Sequence, residues 1–119
     1  MNLGKERLKI NAIIKTQYGG EDPENTRSRK FGNAFTRTLR KMFPSYTIIP
    51  SNSYCEASGF IKNGEKYIYY CTWDYRDRSW QSQILYRAAK NDRDFQGGLN
   101  NFADLEDFES AVNTLFSKI

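Results

Sequence analysis

Apolar residues between Phe31 and Pro44 recur every three or four positions. At 100° per residue, Phe31, Ala34, Phe35, Leu39, Met42 and Phe43 share one arc, and Arg29, Lys30, Arg37, Arg40 and Lys41 share the other. The pattern predicts an amphipathic helix over 26–43, capped by Asn25 or Thr26 and stopped by Pro44. A second stripe, Leu105, Phe108, Val112, Leu115, Phe116 and Ile119, predicts a closing helix. Asp104 is its expected cap, with Asp107 three residues on as a variant capping box. Residues 3–17 fit two patterns. Leu8, Ile10, Ala12 and Ile14 alternate as in a strand, whereas Leu3, Ile10, Ile13, Ile14 and Gln17 line one side of a helix that Asn2 would cap. The helix is the reading taken.

The centre of the chain has a period of two. "YTIIP" (46–50) is a short β-branched run, and "YCEASGFIK" and "EKYIYYCTWD" flank Asn63-Gly64, the strongest hairpin signal present. "WQSQILYRAA" (80–89) is expected to follow through a second hairpin at "DYRDRS", and "KNDRDFQGGLNNF" reads as loop. The expected fold is therefore one α+β domain over 1–119. It has an antiparallel sheet of three or four strands with helices packed on one face, in the order α-α-β-β-β-β-α.

A two-residue turn at Asn63-Gly64 would pair Lys62 with Glu65. Tyr54, Glu56, Ser58, Phe60, Tyr67, Tyr69, Cys71 and Trp73 then share one face, and Cys55, Ala57, Gly59, Ile61, Lys66, Ile68, Tyr70 and Thr72 share the other. The first face is the more aromatic and is assigned to the core. The second is expected to stay open, showing Lys66, Tyr70 and Thr72 with Gln81, Gln83 and Arg87. The two cysteines fall on opposite faces, so no disulfide is expected, in keeping with a reducing compartment.

Composition sharpens this picture. Aromatics at 15% give a short chain large rings from which to build a core. No apolar run is long enough to span a membrane, and "MNLGKERLKINAIIK" lacks the pattern of a signal peptide, so the cytoplasm of a bacterial host cell is the expected location. The net charge of +4 is unevenly spread. Residues 1–45 carry ten Lys and Arg against four Asp and Glu, and residues 99–119 carry one against four. A basic helix face made of Arg27, Arg29, Lys30, Arg37, Arg40 and Lys41 is thus one candidate binding surface. A second is the sheet and hairpin surface bearing Tyr70, Tyr75, Arg76, Arg78 and Arg87.

The chain has no histidine, which removes imidazole bases, histidine triads and the usual zinc ligands. The glycine pairs at 19–20 and 97–98 lack the strand and helix context of a phosphate-binding loop. No catalytic residue, metal or cofactor is assigned. Glu56 stands out on an aromatic face, where a carboxylate needs a partner. A structural pairing with Arg37, Arg87 or a tyrosine hydroxyl is the preferred reading over catalysis. Glu56, Asp74 and Arg76 resemble the acidic pair and cation of PD-(D/E)xK nucleases, which would imply Mg²⁺-dependent cleavage. Arg stands where that family has Lys, and its Pro-Asp pair is missing. The helix, strands, helix order is also similar to that of double-stranded RNA-binding domains, but the last helix opens on "NNFADLEDFE", acidic where those domains are basic.

The stretch "SGFIKNGEKYIYYCTWDYRDRSWQSQILYRAAKNDRDFQGGLNNF" (58–102) resembles small accessory proteins of phages and mobile elements in low-GC Gram-positive bacteria, some of which are anti-CRISPR inhibitors. That group shares no fold or motif, so the resemblance implies no binding residue. The expectation it supports is a non-enzymatic mobile-element binding protein, an accessory factor or an inhibitor of an RNA-guided nuclease. The alternatives are a nucleic-acid-binding module using the basic helix 26–43 and, behind it, a Mg-dependent nuclease.

Overall fold

The computed structural model describes residues 1–19, 29–53 and 55–119, with backbone alone for Tyr18 and Gly19. Two helices, α1 (Leu3–Gly19) and α2 (Lys30–Met42), precede five strands: β1 (Thr47–Pro50), β2 (Ser58–Asn63), β3 (Lys66–Cys71), β4 (Ile84–Ala89) and β5 (Asn101–Ala103). Helix α3 (Leu105–Lys118) follows. The strands form one antiparallel sheet in chain order, β1-β2-β3-β4-β5. The α+β reading with helices on one face holds. The sheet has one strand more than expected, because part of the supposed loop, Asn101–Ala103, pairs with β4.

Residues 3–17 are helical. The Lys5 amide donates to the Asn2 side chain at 3.1 Å, so Asn2 caps α1 as expected. The cap expected for α2 at Asn25 or Thr26 lies outside the described residues, and the helix itself begins at Lys30. One of its first amides is satisfied from far away in sequence: fully buried Gln17 accepts from the Phe31 N–H at 3.0 Å. Asp104 extends into α3 but its side chain caps nothing in that helix. It accepts instead from the Gln83 amide at 3.4 Å, so the capping box does not form.

The β2–β3 register is displaced by two residues from the expected one. Asn63 pairs with Lys66, and Gly64 and Glu65 form the turn. Gly64 has φ +62 at the first central position, which suits a residue without a Cβ. A shift of two preserves which residues of the paired strands share a face. Cys55 lies before β2, and both it and Cys71 are free thiols.

The assignment of those faces to core and solvent is the reverse of the expectation. Helices cover the face of Ile61, Ile68 and Tyr70, and that face also carries Ile48 and Ile84. The reason is volume. Helix α2 brings Phe31 and Phe35, which pack against Trp80, and Phe35 also lies 6.0 Å from the Tyr70 ring. Helix α3 brings Phe108, which meets Phe43 and Tyr86. Against these rings the sheet face presents the isoleucines and Gly59 with Tyr70 and Tyr86 as its aromatics, so large and small side chains interdigitate. Tyr70 is completely buried, so it is not part of an exposed surface. Its hydroxyl has no hydrogen-bond partner among the described residues, and burial pushes its pKa up.

Candidate functional site

The helix-free face carries two cross-strand rows. The first is Ile49, Phe60, Tyr69 and Arg87; the second is Ser58, Cys71, Leu85 and Phe102. One half of this face is closed by the chain itself. The segment after β4 folds back so that Phe95 packs 5.1 Å from Phe60 and 6.0 Å from Tyr69, centroid to centroid. Arg87 clamps that segment. Its guanidinium lies 4.7 Å over the Tyr69 ring, donates to the Asp94 carbonyl at 2.8 Å and stands 3.8 Å from the Asp94 carboxylate. Arg87 is only 3% exposed, so it is a structural residue and not the surface contact that sequence suggested. Burial, first, and the neighbouring Cys71 thiol push the Tyr69 hydroxyl up to about 12.

The other half remains open. Phe102 stacks on Trp73 with ring planes 6° apart and centroids 6.3 Å apart, and Arg78 lies 4.4 Å over the Trp73 ring. Phe102 is 49% exposed, Phe95 51% and Leu99 83%. Lys62 stands 5.7 Å over the Tyr67 ring at the hairpin end of this face, beyond the closed Phe60–Tyr69 row. A large apolar side chain held this far into water beside an arginine is the mark of an interaction surface.

Glu56 is half-buried beside this surface and accepts from the Cys71 thiol at 3.0 Å. The expected arginine or tyrosine partner is thus replaced by a thiol. Burial and the Glu56 carboxylate push the Cys71 thiol up to about 12. Burial and Asp74 push Cys55 up to about 11, with Cys55 donating to Asp74 at 3.1 Å. Asp74 also accepts from Arg76 Nε at 2.9 Å, and the Arg76 guanidinium holds its carboxyl well below the usual range. Each of the two carboxylates of the nuclease comparison is therefore engaged by a side chain. Among the described residues, no group of three Cys, Asp or Glu is placed to hold a metal ion, and no helix is long and apolar enough to cross a membrane.

The basic helix face is real in part. Arg29, Lys30, Arg37 and Arg40 are exposed along α2, while Lys41 is drawn to Glu6 at 2.9 Å; Arg27 lies outside the described residues. These cations stand on the helix-covered side of the sheet and Arg78 on the other, so the two predicted sets do not form one surface. Tyr75 is spent on structure: its ring packs 5.0 Å from Phe31 and its hydroxyl accepts from Gln17 at 3.1 Å. Sequence reasoning missed Trp73, Phe95, Leu99 and Phe102. The available signal was three large apolar residues set in an otherwise polar stretch, "NDRDFQGGLNNF". Comparison of the chain with protein-family models, with curated proteins and with solved structures finds no match.

Proposed function

We infer that the protein is a non-enzymatic binding protein that seats a protein partner on the open half of its helix-free sheet face. The observation that carries this reading is half-exposed Phe102 stacked on Trp73, with Arg78 over the tryptophan ring. Aromatic and arginine anchors in such a cluster supply binding energy through desolvation, which a protein partner with a matching apolar pocket returns. The resemblance of residues 58–102 to mobile-element accessory proteins makes an RNA-guided nuclease the first partner class, with inhibition as the outcome.

The exposed Arg29, Lys30, Arg37 and Arg40 favour a second reading, direct binding of nucleic acid by α2. One experiment separates the two. Binding to single-stranded DNA, duplex DNA and structured RNA is measured at about 50 and about 150 mM salt. Target cleavage by a panel of guide-loaded nucleases is measured in parallel. The first reading predicts inhibited cleavage without appreciable affinity for free nucleic acid. Tight binding to free nucleic acid that falls steeply with salt, with cleavage unaffected, would reverse the order of the two.

A further inference from the structure

A separate feature lies on the opposite side of the molecule, between α1 and α2. Small residues face each other there, Ala12 from α1 and Ala34 from α2, and leave a cleft of about 370 Å³. Its floor is apolar, with buried Ile10 and half-buried Ile13 beside Ala34.

The rim is basic: Lys9, Arg37 and Lys41 stand around the opening. The one carboxylate in the lining, Glu6, is held below its ordinary range by its hydrogen bond from Lys41. It lies 2.9 Å from Lys41 Nζ and 3.9 Å from Lys9 Nζ, and accepts from the Thr38 hydroxyl at 3.3 Å. Three cations against one carboxylate leave the rim positive. Arg37 forms no ion pair with any described residue.

We propose that the α1–α2 cleft docks an acidic amphipathic helical segment of a partner protein, with its apolar side chains against Ile13 and Ala12 and its carboxylates on Arg37 and Lys9. Charge and polarity together select this occupant. A phosphate backbone would use the cations and waste the apolar floor, whereas an acidic amphipathic helix uses both. A second copy of this chain has an acidic helix, α3, but its outward face carries Glu109, Ser110, Asn113, Thr114 and Ser117, with no large apolar side chain to insert. The inference rests on the cleft alone and stands apart from the sheet-face reading.

The test uses the full chain and fluorescein-labelled helical peptides of about 16 residues, long enough to hold a helix. Their Leu, Ile or Phe residues lie on one face with Glu on the flanks, and a matched set carries Lys in place of Glu. Fluorescence anisotropy is expected to show binding of the Glu set and none of the Lys set. Arg37→Glu, at an exposed position, is expected to weaken binding about tenfold. Ala12→Phe, also exposed, fills the mouth of the cleft and is expected to weaken it similarly, with melting temperatures confirming that both variants fold. Failure of the whole Glu set to bind, equal binding of the Lys set, or binding indifferent to both substitutions would overturn the proposal. So would binding of duplex DNA that Arg37→Glu abolishes while the peptides do not bind.

Discussion

Replacing Gln17 by methionine removes its hydrogen bonds to Phe31 and Tyr75 at nearly constant volume. The side chain is fully buried. Its Oε1 accepts from the Phe31 amide at 3.0 Å and its Nε2 donates to the Tyr75 hydroxyl at 3.1 Å. Phe31 is itself fully buried, so water cannot replace the lost acceptor. An orphaned buried N–H costs about 1–3 kcal/mol and the lost bond to Tyr75 about 1 kcal/mol. The methionine recovers a fraction through packing, which leaves a net destabilisation of about 2–3 kcal/mol. Tyr75→Phe removes the bond from Gln17 while leaving the Phe31 amide bond intact, and should cost about 1 kcal/mol through that bond. In urea, with a slope near 2 kcal/mol/M, Gln17→Met should lower the midpoint by more than about 1 M. Trp80 lies 6.2 Å from Phe31, so tryptophan fluorescence reports this region and circular dichroism the whole fold. A Gln17→Met midpoint within about 0.2 M of the parent would refute the assignment of Gln17 as the remote cap of α2.

Three further outcomes follow from the same geometry. Gly59 has φ +153, and a Cβ there would lie 2.3 Å from the Ile49 carbonyl oxygen and 2.9 Å from Pro50 Cα; backbone cannot turn aside as a side chain can. Gly59→Ala should therefore cost about 3 kcal/mol or more, and a melting temperature within a few degrees of the parent would contradict this. Both thiols are raised in pKa, so neither should react readily with a disulfide reagent at about pH 8 in the native protein. Glu56→Gln removes the charge that opposes the Cys71 thiolate and should speed its labelling several-fold, and an unchanged rate would separate Glu56 from the thiol. Asp74 and Glu6 are held below their ordinary ranges by Arg76 and Lys41. Their contribution is present above the unfolded carboxylate range and is lost as pH falls, so stability should drop between about pH 5 and about pH 2. Asp74→Asn should flatten that slope, and an identical acid profile in the variant would refute the role given to Arg76.

The elements were legible where one periodicity dominated. The arc from Phe31 to Phe43 and the stripe from Leu105 to Phe116 gave α2 and α3, and the Asn-Gly signal found the β2–β3 hairpin. Its register was two residues out because Asn63 closes the ladder and Gly64 alone takes the positive φ. The faces were misassigned because aromatic content was read as core, whereas Phe31, Phe35, Phe108 and Phe116 arriving on the helices meet a sheet face of isoleucines with Tyr70 and Tyr86. Strand β5 was hidden because three residues after a glycine pair carry too little pattern to be recognised. That strand positions Phe102, so the candidate surface was hidden with it. Gln17 was placed correctly on the inner side of α1, but its role as a cap depends on a contact across fourteen residues that no local pattern encodes.

The central claim is that inhibition of a nuclease is carried by the helix-free face and not by the exposed Arg29 and Arg40 of α2. Lys41 is unsuited to testing this by charge reversal, because a carboxylate there would confront Glu6. The decisive comparison is inhibition of a guide-loaded nuclease by the parent protein, by Phe102→Asp, and by the double variant Arg29→Glu with Arg40→Glu. Phe102 is half exposed, so the aspartate there disrupts the surface without entering the core. The account predicts that Phe102→Asp weakens inhibition about tenfold or more while the double variant retains it. Inhibition lost in the double variant and kept in Phe102→Asp would contradict it.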